Sequence, residues 1–363
     1  MPLPAETKPL EDAAGAEPAA PSWRIEPLQG WHLPLLDDPA FLPLQPLLQR
    51  AVLLGLPERL MAVLRRRPPL GPQVLVAFAD TPAGDPRAAG LIVGRRFNRR
   101  GTCWRIEHLR MGLAPGHDIP LLPPREVTAD LVREAIQRVP GATSWIAVVS
   151  SLDRDRLATL REQGFQPQRS ERLWRWTAEA GTGAGAVPPE LQLRPLNRRT
   201  APLLWHLEQA VCPAHLRQLL DRHVDDLLDR GGRRGVLLVD PNRNEAVAGA
   251  RLVERHPCGG HHVELSVHPG WGHLLGAPLE LLLRRLARPG ETLWLRSEAG
   301  DESRRSWLAR IGSEAHGDQV VMARSVWRRQ ESLPAERAAR RLGAVLEQFQ
   351  PRRRPLPTPV GQR

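Results

Sequence analysis

The stretch SVHPGWGHLLGAPL, from Ser266 to Leu279, has the pattern of a strand that passes through a glycine-bearing loop into a helix. Leucines recur at helical spacing from Leu275 to Leu286, and Pro278 among them can lie only in the first helical turn, because proline has no N–H. The helix is therefore predicted to begin near Ala277. Free N–H groups at a helix start attract anions, which raises the question of whether this loop binds a phosphate.

Further strands and helices are predicted upstream of this loop. Apolar residues alternate or run without interruption in three short segments that turn signals separate, which is typical of strands. Two segments before these strands have the apolar spacing of helices. The five segments are TAPLLWHLEQAV, AHLRQLLDRHVDDLLDR, GVLLVD, AVAGARLVE and HHVELSV.

The first half of the chain repeats this order. GATSWIAVV, from Gly141, matches GETLWLRSE, from Gly290, at an offset of 149 positions, which pairs Trp145 with Trp294. AAGLIV matches VAGARLV at an offset of 159, RIEPL matches QLRPL at 168, and RLWRW matches SVWRR at 151. Loop insertions between duplicated domains produce offsets that drift in this way, so the sequence predicts a tandem duplication.

Changes in composition divide the chain into five segments. The Gly/Ala/Pro-rich segment 178–190 lacks periodicity and is predicted to be a linker. Two domains of the α/β class, each with a mixed sheet in an α+β arrangement, are predicted at 23–177 and 191–330. Residues 1–22 are expected to be a disordered leader, and 331–363 a helix followed by a basic, proline-rich tail.

Composition limits the classes of function. The 363 residues have a formal net charge of +11, but the arginines are spread along the chain and Lys8 is the single lysine. Composition bias therefore accounts for the charge better than a nucleic-acid surface does. Cys103, Cys212 and Cys258 lack metal-ligand spacing, which indicates a reducing compartment and no zinc site. The N-terminus lacks the apolar segment of a signal peptide or anchor, so we expect a cytoplasmic protein without a membrane partner.

The order of elements in each half resembles that of the GNAT superfamily of acyl-CoA-dependent N-acetyltransferases. In that family a strand ending in Val-x-Pro enters a loop of the form Arg/Gln-x-x-Gly-x-Gly/Ala, whose N–H groups bind the pyrophosphate of acetyl-CoA. Val267 and Pro269 match the strand end. With one extra loop residue, His273, Gly276 and Pro278 fall on the three motif positions, so the motif is degenerate and keeps only its middle glycine.

The resemblance implies an acetyl-CoA site at this loop, and no metal. Its residues would be Val267, His273, Leu274, Leu275, Gly276 and Ala277, with Asp301 after the next strand. In the first half the matching connection has prolines at positions 115, 120, 123 and 124, which cannot donate an N–H. The sequence therefore predicts one acetyl-CoA per chain, bound in the second half.

A second family signature is an asparagine followed by a short helix and Gly-Phe. The first half has Asp153 and, twelve residues later, Phe165, and the second half has Asp301 and, twelve later, Ser313. Family enzymes often carry, five residues before the Phe position, a tyrosine that protonates the departing thiolate, but this chain has leucine there. The alternative interpretation of both aspartates is helix N-capping.

Glu264, three residues before Val267, is the candidate general base, because an amine must lose a proton before it attacks a thioester. Family enzymes often place a glutamate in this strand, and Glu107 is its apparent counterpart in the first half. Alternatively, Glu264 faces solvent or pairs with an arginine. The nearby histidines His261, His262 and His268 are interpreted as polar strand-end residues, because no carboxylate partner is evident.

Two functions are consistent with these patterns. The first is an N-acetyltransferase that moves an acetyl group from acetyl-CoA to an unidentified amine, of a small molecule or a protein, in the C-terminal half. The second is a non-catalytic tandem module that binds a protein or nucleic acid through its arginine-rich surface. The lost glycines favour the second, whereas the strand order and Glu264 favour the first.

Overall fold

The computed structural model describes residues 22–65, 71–79, 86–178, 186–229 and 234–326. The predicted leader up to residue 21, most of the predicted linker, and the predicted C-terminal helix and tail lie outside the described residues.

In the part of the chain that the structure describes, each half has six strands in the predicted order. The first half comprises β1 (Trp23–Pro27), α1 (Gln45–Arg65), β2 (Gln73–Ala79), β3 (Arg87–Arg96), β4 (Cys103–Met111), α2 (Pro124–Gln137), β5 (Ser144–Ser150), α3 (Arg154–Glu162) and β6 (Gln166–Thr177). The second half comprises β7 (Gln192–Pro195), α4 (Ala201–Val211), α5 (Ala214–Leu220), α6 (Asp226–Asp229), β8 (Gly235–Asp240), β9 (Glu245–Arg255), β10 (His261–Val267), α7 (Ala277–Leu286), β11 (Thr292–Glu298), α8 (Glu302–Arg310) and β12 (Glu314–Ser325).

All twelve strands form one sheet, in the order β1-β2-β3-β4-β5-β12-β6-β11-β10-β9-β8-β7. The last strand of each half is exchanged: β12 pairs with β5 of the first half, and β6 pairs with β11 of the second. The two exchanged strands also pair with each other. Neither half therefore completes its sheet alone, although the boundaries at residues 177 and 191 stay predictions.

Helices cover both faces of this sheet, which is why its strands are rich in apolar residues. On one face, α2 and α3 pack on the first-half strands, and α7 and α8 pack on the second-half strands. On the opposite face, α1 packs on the first half, and α4 and α6 pack on the second. α5 reaches across to the first half, where Leu219 and Leu220 contact the buried Ile146.

The repeat predicted from the sequence is present, but two of its residue matches are wrong by one position. β5 and β11, and the caps Asp153 and Asp301 that follow them, are 148 positions apart instead of 149. Trp145 therefore corresponds to Leu293, and both pack under the helices of the same face. Trp294 faces the other way and stacks on His256, with ring centroids 3.8 Å apart. Successive side chains of a strand point to opposite faces of the sheet, so an alignment that is shifted by one residue pairs side chains from opposite faces. The matching of identical residues therefore paired Trp145 with the wrong position.

The same slip affects the glycines of AAGLIV and VAGARLV. A Cβ at Gly90 would meet Leu131 of α2, whereas one at Gly249 would meet Leu204 of α4, on the opposite face. In β3, Gly90 is the paired residue that follows a bulge in the ladder with β2. In β9, Ala248 is the paired residue that follows the matching bulge in the ladder with β8. The structural counterpart of Gly90 is therefore Ala248.

None of the helices in the described ranges is both long enough and apolar enough to cross a membrane.

Candidate active site

The loop before α7 has the predicted strand-to-helix geometry. α7 begins at Ala277, as predicted, and residues Pro269–Leu274 of the loop form a short 3-10 turn. His268 stabilises this turn, because its Nδ1 accepts a hydrogen bond of 3.1 Å from the Gly270 N–H. The residue before the helix is Gly276, and no side chain caps the helix start. The N–H groups that open α7 are thus left to water or a ligand, apart from Pro278, which has none.

Two glycines of the loop are not required by its backbone conformation. Gly276 has an extended conformation, with φ −178°, that any residue adopts, and Gly272 is not left-handed either. A Cβ built on either residue would meet no atom within 4 Å. Their small size therefore leaves open space at the helix start, the condition for close approach of a ligand to backbone N–H groups.

A groove of about 520 Å³ extends from this helix start between α7 and α8. α7 contributes Ala277, Glu280 and Arg284, and the end of α8 contributes Trp307 and Arg310. Glu280 and Arg284 form an ion pair of 2.6 Å. Arg310 donates to the Leu275 carbonyl oxygen at 3.3 Å and has no carboxylate partner among the described residues. The groove thus joins open backbone N–H groups to an unpaired cation, which suits an anion.

A cleft separates β10 from β11 beside the loop. These parallel strands pair only at His261 with Leu293 and at His262 with Trp294, after which they diverge. Arg304 of α8 reaches into the cleft, where its Nη2 donates to the Leu265 carbonyl oxygen at 2.9 Å. Because β10 and β11 do not pair at Leu265, its carbonyl oxygen accepts this hydrogen bond from the Arg304 side chain instead of from β11.

On the face covered by α4 and α5, the cleft opens into a cavity of about 330 Å³. The cavity lies where the two halves meet, and its polar lining contains arginines and carboxylates in similar number. These residues are Arg105, Arg169, Glu171, Glu208, Arg217, Arg222, Glu254, Glu264, Arg296, Glu298, Asp301 and Arg304, and His262 lies among them. A buried site this rich in charge is a candidate place for proton transfer and for binding of a charged substrate.

The fold is similar to that of known acetyltransferases. The sequence matches no family model and no curated protein. Among solved structures, a tandem GNAT protein from the clavulanic acid biosynthesis pathway is 16% identical with a TM-score of 0.51, over 84% of this chain and 98% of that one. The chain has a tandem GNAT fold. A GCN5-related N-acetyltransferase from Sphaerobacter thermophilus is 14% identical with a TM-score of 0.45, over 73% of this chain and 85% of its own.

Within this GNAT fold the predicted cofactor residues take different positions. Gly276 and Ala277 line the groove. Leu274 is buried in the core, and Val267 and Leu275 pack against that core. His273 is exposed beside Trp271, with ring centroids 5.3 Å apart. Only part of the predicted set therefore faces the groove.

Asp301 caps α8, which is the alternative that the sequence left open. Its Oδ1 accepts from the Arg304 N–H at 2.9 Å, and in the first half the Asp153 Oδ1 accepts from the Arg156 N–H at 3.1 Å. Leu160 and Leu308 occupy the position where GNAT enzymes often carry a tyrosine, and both are buried.

Glu264, the predicted base, is held by two arginines. Arg222 donates to its two carboxylate oxygens at 2.7 and 3.1 Å, and Arg251 donates a further bond. Burial alone would raise the pKa of Glu264, but Arg222 and Arg251 outweigh burial and hold the pKa well below its usual range. A carboxylate with so low a pKa is a weak base, so the pairing that the sequence left as an alternative is the one observed.

Glu107 is not the structural counterpart of Glu264. Glu264 pairs across the sheet with Arg251, and the equivalent pair in the first half joins His108 to Val93, with Glu107 in a bulge. Glu107 is bonded instead to Arg95 and Arg105. The ion pairs of Glu264 with Arg222 and Arg251 are therefore formed by residues of the second half.

Glu208 of α4 lines the same cavity, and no sequence pattern singled it out. Its carboxylate lies 3.4 Å from Arg222 and 3.5 Å from Arg251, farther than that of Glu264. Burial raises the pKa of Glu208 above its ordinary value, although both arginines oppose the shift. Its one sequence signal is a glutamate on a helix whose neighbours are apolar, since the pairing with Arg222 is visible only in three dimensions.

The histidines of β10 and its loop are not free bases. His261 lies 2.9 Å from Glu291, outside the cavity, and His268 holds the loop turn. Burial lowers the pKa of His262 to about 3, and the nearby Arg296 adds to the shift. His262 is therefore neutral at physiological pH.

Proposed function

We propose that this protein is an N-acetyltransferase that transfers an acetyl group from acetyl-CoA to an amine, with the reaction in the second half. The observation that carries the proposal is the open start of α7, where Gly276 leaves space, no side chain caps the helix, and a groove with Arg310 begins. These features suit the pyrophosphate, because backbone N–H groups, the helix dipole and a guanidinium all favour negative charge.

Bound acetyl-CoA would supply a thioester as the acetyl donor. The residues that would hold it are Gly276 and Ala277 through their N–H groups and Arg310 through its guanidinium. The cleft between β10 and β11 would admit the acyl arm after Arg304 releases the Leu265 carbonyl, which would then be free to accept a hydrogen bond. The cavity on the other side of the cleft would hold the amine.

We assign the general base to Glu208. Its raised pKa lets it accept a proton more readily than Glu264, whose carboxylate is bonded to two arginines. Arg222 contacts both carboxylates and positions Glu208 beside the cleft. Leu308 stands in place of the usual tyrosine, so this side chain cannot protonate the departing sulfur.

Acetyl-CoA titration tests the site. We expect saturable heat with a stoichiometry of one per chain, and thermal stabilisation that grows once the ligand exceeds its dissociation constant. Gly276→Val should abolish binding and keep the wild-type melting temperature, because a Cβ at Gly276 meets no protein atom within 4 Å. Gly141→Val is the matched control, since Gly141 is equally open and lies in the first half. Two molecules per chain, or binding that survives Gly276→Val, would contradict the placement of the site.

A specific observation favours the second candidate function, a non-catalytic binding module. The guanidinium of Arg304 occupies the cleft and bonds the Leu265 carbonyl. No binding at millimolar acetyl-CoA, in both the wild type and Arg304→Ala, would favour this module over the enzyme.

A further inference from the structure

The arginines of the cavity fall into two groups. In the first group each guanidinium has a carboxylate partner: Arg105 donates to Glu254 at 2.8 Å, Arg222 to Glu264 at 2.7 Å, and Arg169 contacts Glu171. Arg105 of β4 reaches Glu254 of β9, Arg169 and Glu171 lie on the same strand β6, and Arg222 joins the loop after α5 to β10. The charges of these pairs are compensated within the protein.

The second group, Arg217 of α5 and Arg304 of α8, has no carboxylate at ion-pair distance among the residues that the structure describes. Arg217 donates from Nη1 to the Gln209 carbonyl oxygen at 2.9 Å, and Arg304 donates from Nη2 to that of Leu265. Arg217 Nη1 also donates to the Gln209 Oε1 at 3.3 Å, and the other guanidinium N–H groups of both arginines have no hydrogen-bond partner among the described residues. Burial lowers the pKa of Arg304, although the charges of Asp301 and Glu298 oppose the shift.

Arg296 lines the same cavity. Its Nε is buried without a hydrogen bond and lies 3.9 Å from an oxygen of Glu171, so Arg296 belongs with the arginines that have a carboxylate partner. Arg217 and Arg304 thus line the cavity with guanidinium donors that no described carboxylate compensates.

From this arrangement we infer that the acceptor amine also carries a carboxylate, which Arg304 and Arg217 bind in the cavity beside the cleft. The inference deepens the proposed acetyltransferase function and rests on it. A planar guanidinium fork matches a carboxylate with two parallel hydrogen bonds. A dianionic phosphate is disfavoured, because Glu171 and Glu298 line the same cavity and would repel the extra charge.

The dimensions of the cavity restrict the acceptor further. About 330 Å³ is at the small end of the volumes of small-molecule pockets. Apolar side chains complete its lining, among them Ile146, Val148 and Leu216. The acceptor class that fits this volume and lining is a small amino acid with an apolar side chain.

Equilibrium binding tests the inference without catalysis. Calorimetry would use the twenty common amino acids and their carboxamides as probes, with no acetyl-CoA present. We expect at least one apolar amino acid to bind ten or more times more tightly than its carboxamide, since only the acid can form the charge-assisted pair. Arg304→Gln and Arg217→Gln should each reduce that ratio towards one. Arg285→Gln, at an exposed position on α7, is the control and should keep the ratio.

Two measurements keep the result interpretable. Melting temperatures show whether each variant folds, and Arg304→Lys, which keeps the charge but not the fork, should retain part of the preference. Carboxamides that bind as well as the acids, or a ratio that survives both substitutions to glutamine, would overturn the inference. Acetyl transfer to amines irrespective of a carboxylate would leave the proposed function standing without this inference, whereas tight acid binding without any transfer would do the reverse.

Discussion

The two halves of the sheet share their strand order and differ at the connection that follows the fourth strand of each. In the first half α2 starts at Pro124, directly after Pro123, and its apolar residues share one core cluster with Leu157 and Leu160 of α3. In the second half Gly276 leads into α7, and a groove separates α7 from α8. The first connection thus leads into a helix that packs against its neighbour, and the second leads into a helix whose start opens onto a groove.

The pairing of the two parallel strands beside each connection is also shorter in the second half. β4 and β5 pair at four positions, from Cys103 with Ser144 to Ile106 with Ala147, whereas β10 and β11 pair at two. The carboxylate held by two arginines, Glu264, has His108 as its structural counterpart in the first half. The two copies therefore share their scaffold, whereas the ion pairs of Glu264 with Arg222 and Arg251 are formed by second-half residues.

The largest effect is expected from separating the halves. Residues 1–185 and 186–363, expressed alone, should each fail to form a folded monomer, because each lacks the neighbour of its exchanged strand. Mixing the two should restore a one-to-one complex with the circular dichroism spectrum of the intact chain. A cooperative thermal transition in either fragment as a monomer would show that the exchange is not needed for folding.

Glu208→Gln tests which half carries the chemistry. We expect acetyl transfer to fall by about a hundred- to ten-thousand-fold, the usual range for loss of a general base. In the wild type, activity should rise with pH through a pKa above that of an ordinary glutamate, and the variant should lose this dependence.

Stability separates this role from a structural one. The folded-state pKa of Glu208 is raised, so its ionised form disfavours folding at neutral pH, and Glu208→Gln should leave the free energy of unfolding unchanged or slightly higher. A large loss of stability, measured by urea denaturation, would make Glu208 a structural residue.

Glu264→Gln, unlike Glu208→Gln, should lower the free energy of unfolding. Arg222 and Arg251 would lose the carboxylate that compensates them, at a cost of about 3 kcal/mol in the free energy of unfolding at pH 7. Because the folded-state pKa of Glu264 is lowered, this contribution is present above the ordinary value of 4.5 and is lost as the pH falls towards the folded pKa. Urea denaturation at pH 7 and pH 4 should thus show a narrowing difference from the wild type.

His108→Gln, at the matching position in the first half, is the control. His108 forms no ion pair in the described part of the chain, and its substitution should cost at most about 1 kcal/mol. Equal costs at both positions would remove the contrast between the halves.

The smallest expected effect concerns a feature that both halves share. Asp153→Ala and Asp301→Ala should each lower the free energy of unfolding by about 1 kcal/mol, because each removes one N-cap hydrogen bond. Thermal denaturation should show similar shifts for the two variants. Loss of acetyl-CoA binding in Asp301→Ala alone would instead support the cofactor role that the resemblance implied.

Local patterns were sufficient for much of the fold. The stripe of leucines and Pro278 placed the start of α7 at Ala277, because helical periodicity and the missing proline N–H act within a few residues. The duplication was also recognisable, since both halves keep the order of strands and helices. The residue matches within it slipped by one at Trp145 and Gly90, because letters do not report which face of a strand is buried.

The sequence by itself determined most of the elements, their order and the start of α7 at Ala277, all of which depend on neighbours in the chain. The single helix predicted from Ala214 is instead the two helices α5 and α6, because Asp221 adopts a left-handed conformation that ends α5. The tertiary structure alone decided that β6 and β12 change places and that Glu264 is tied to Arg222 and Arg251. It also decided that Arg304 enters the cleft. Strand exchange and ion pairing join residues tens to more than a hundred positions apart, and the energy of a buried charge depends on the partners that the fold brings to it.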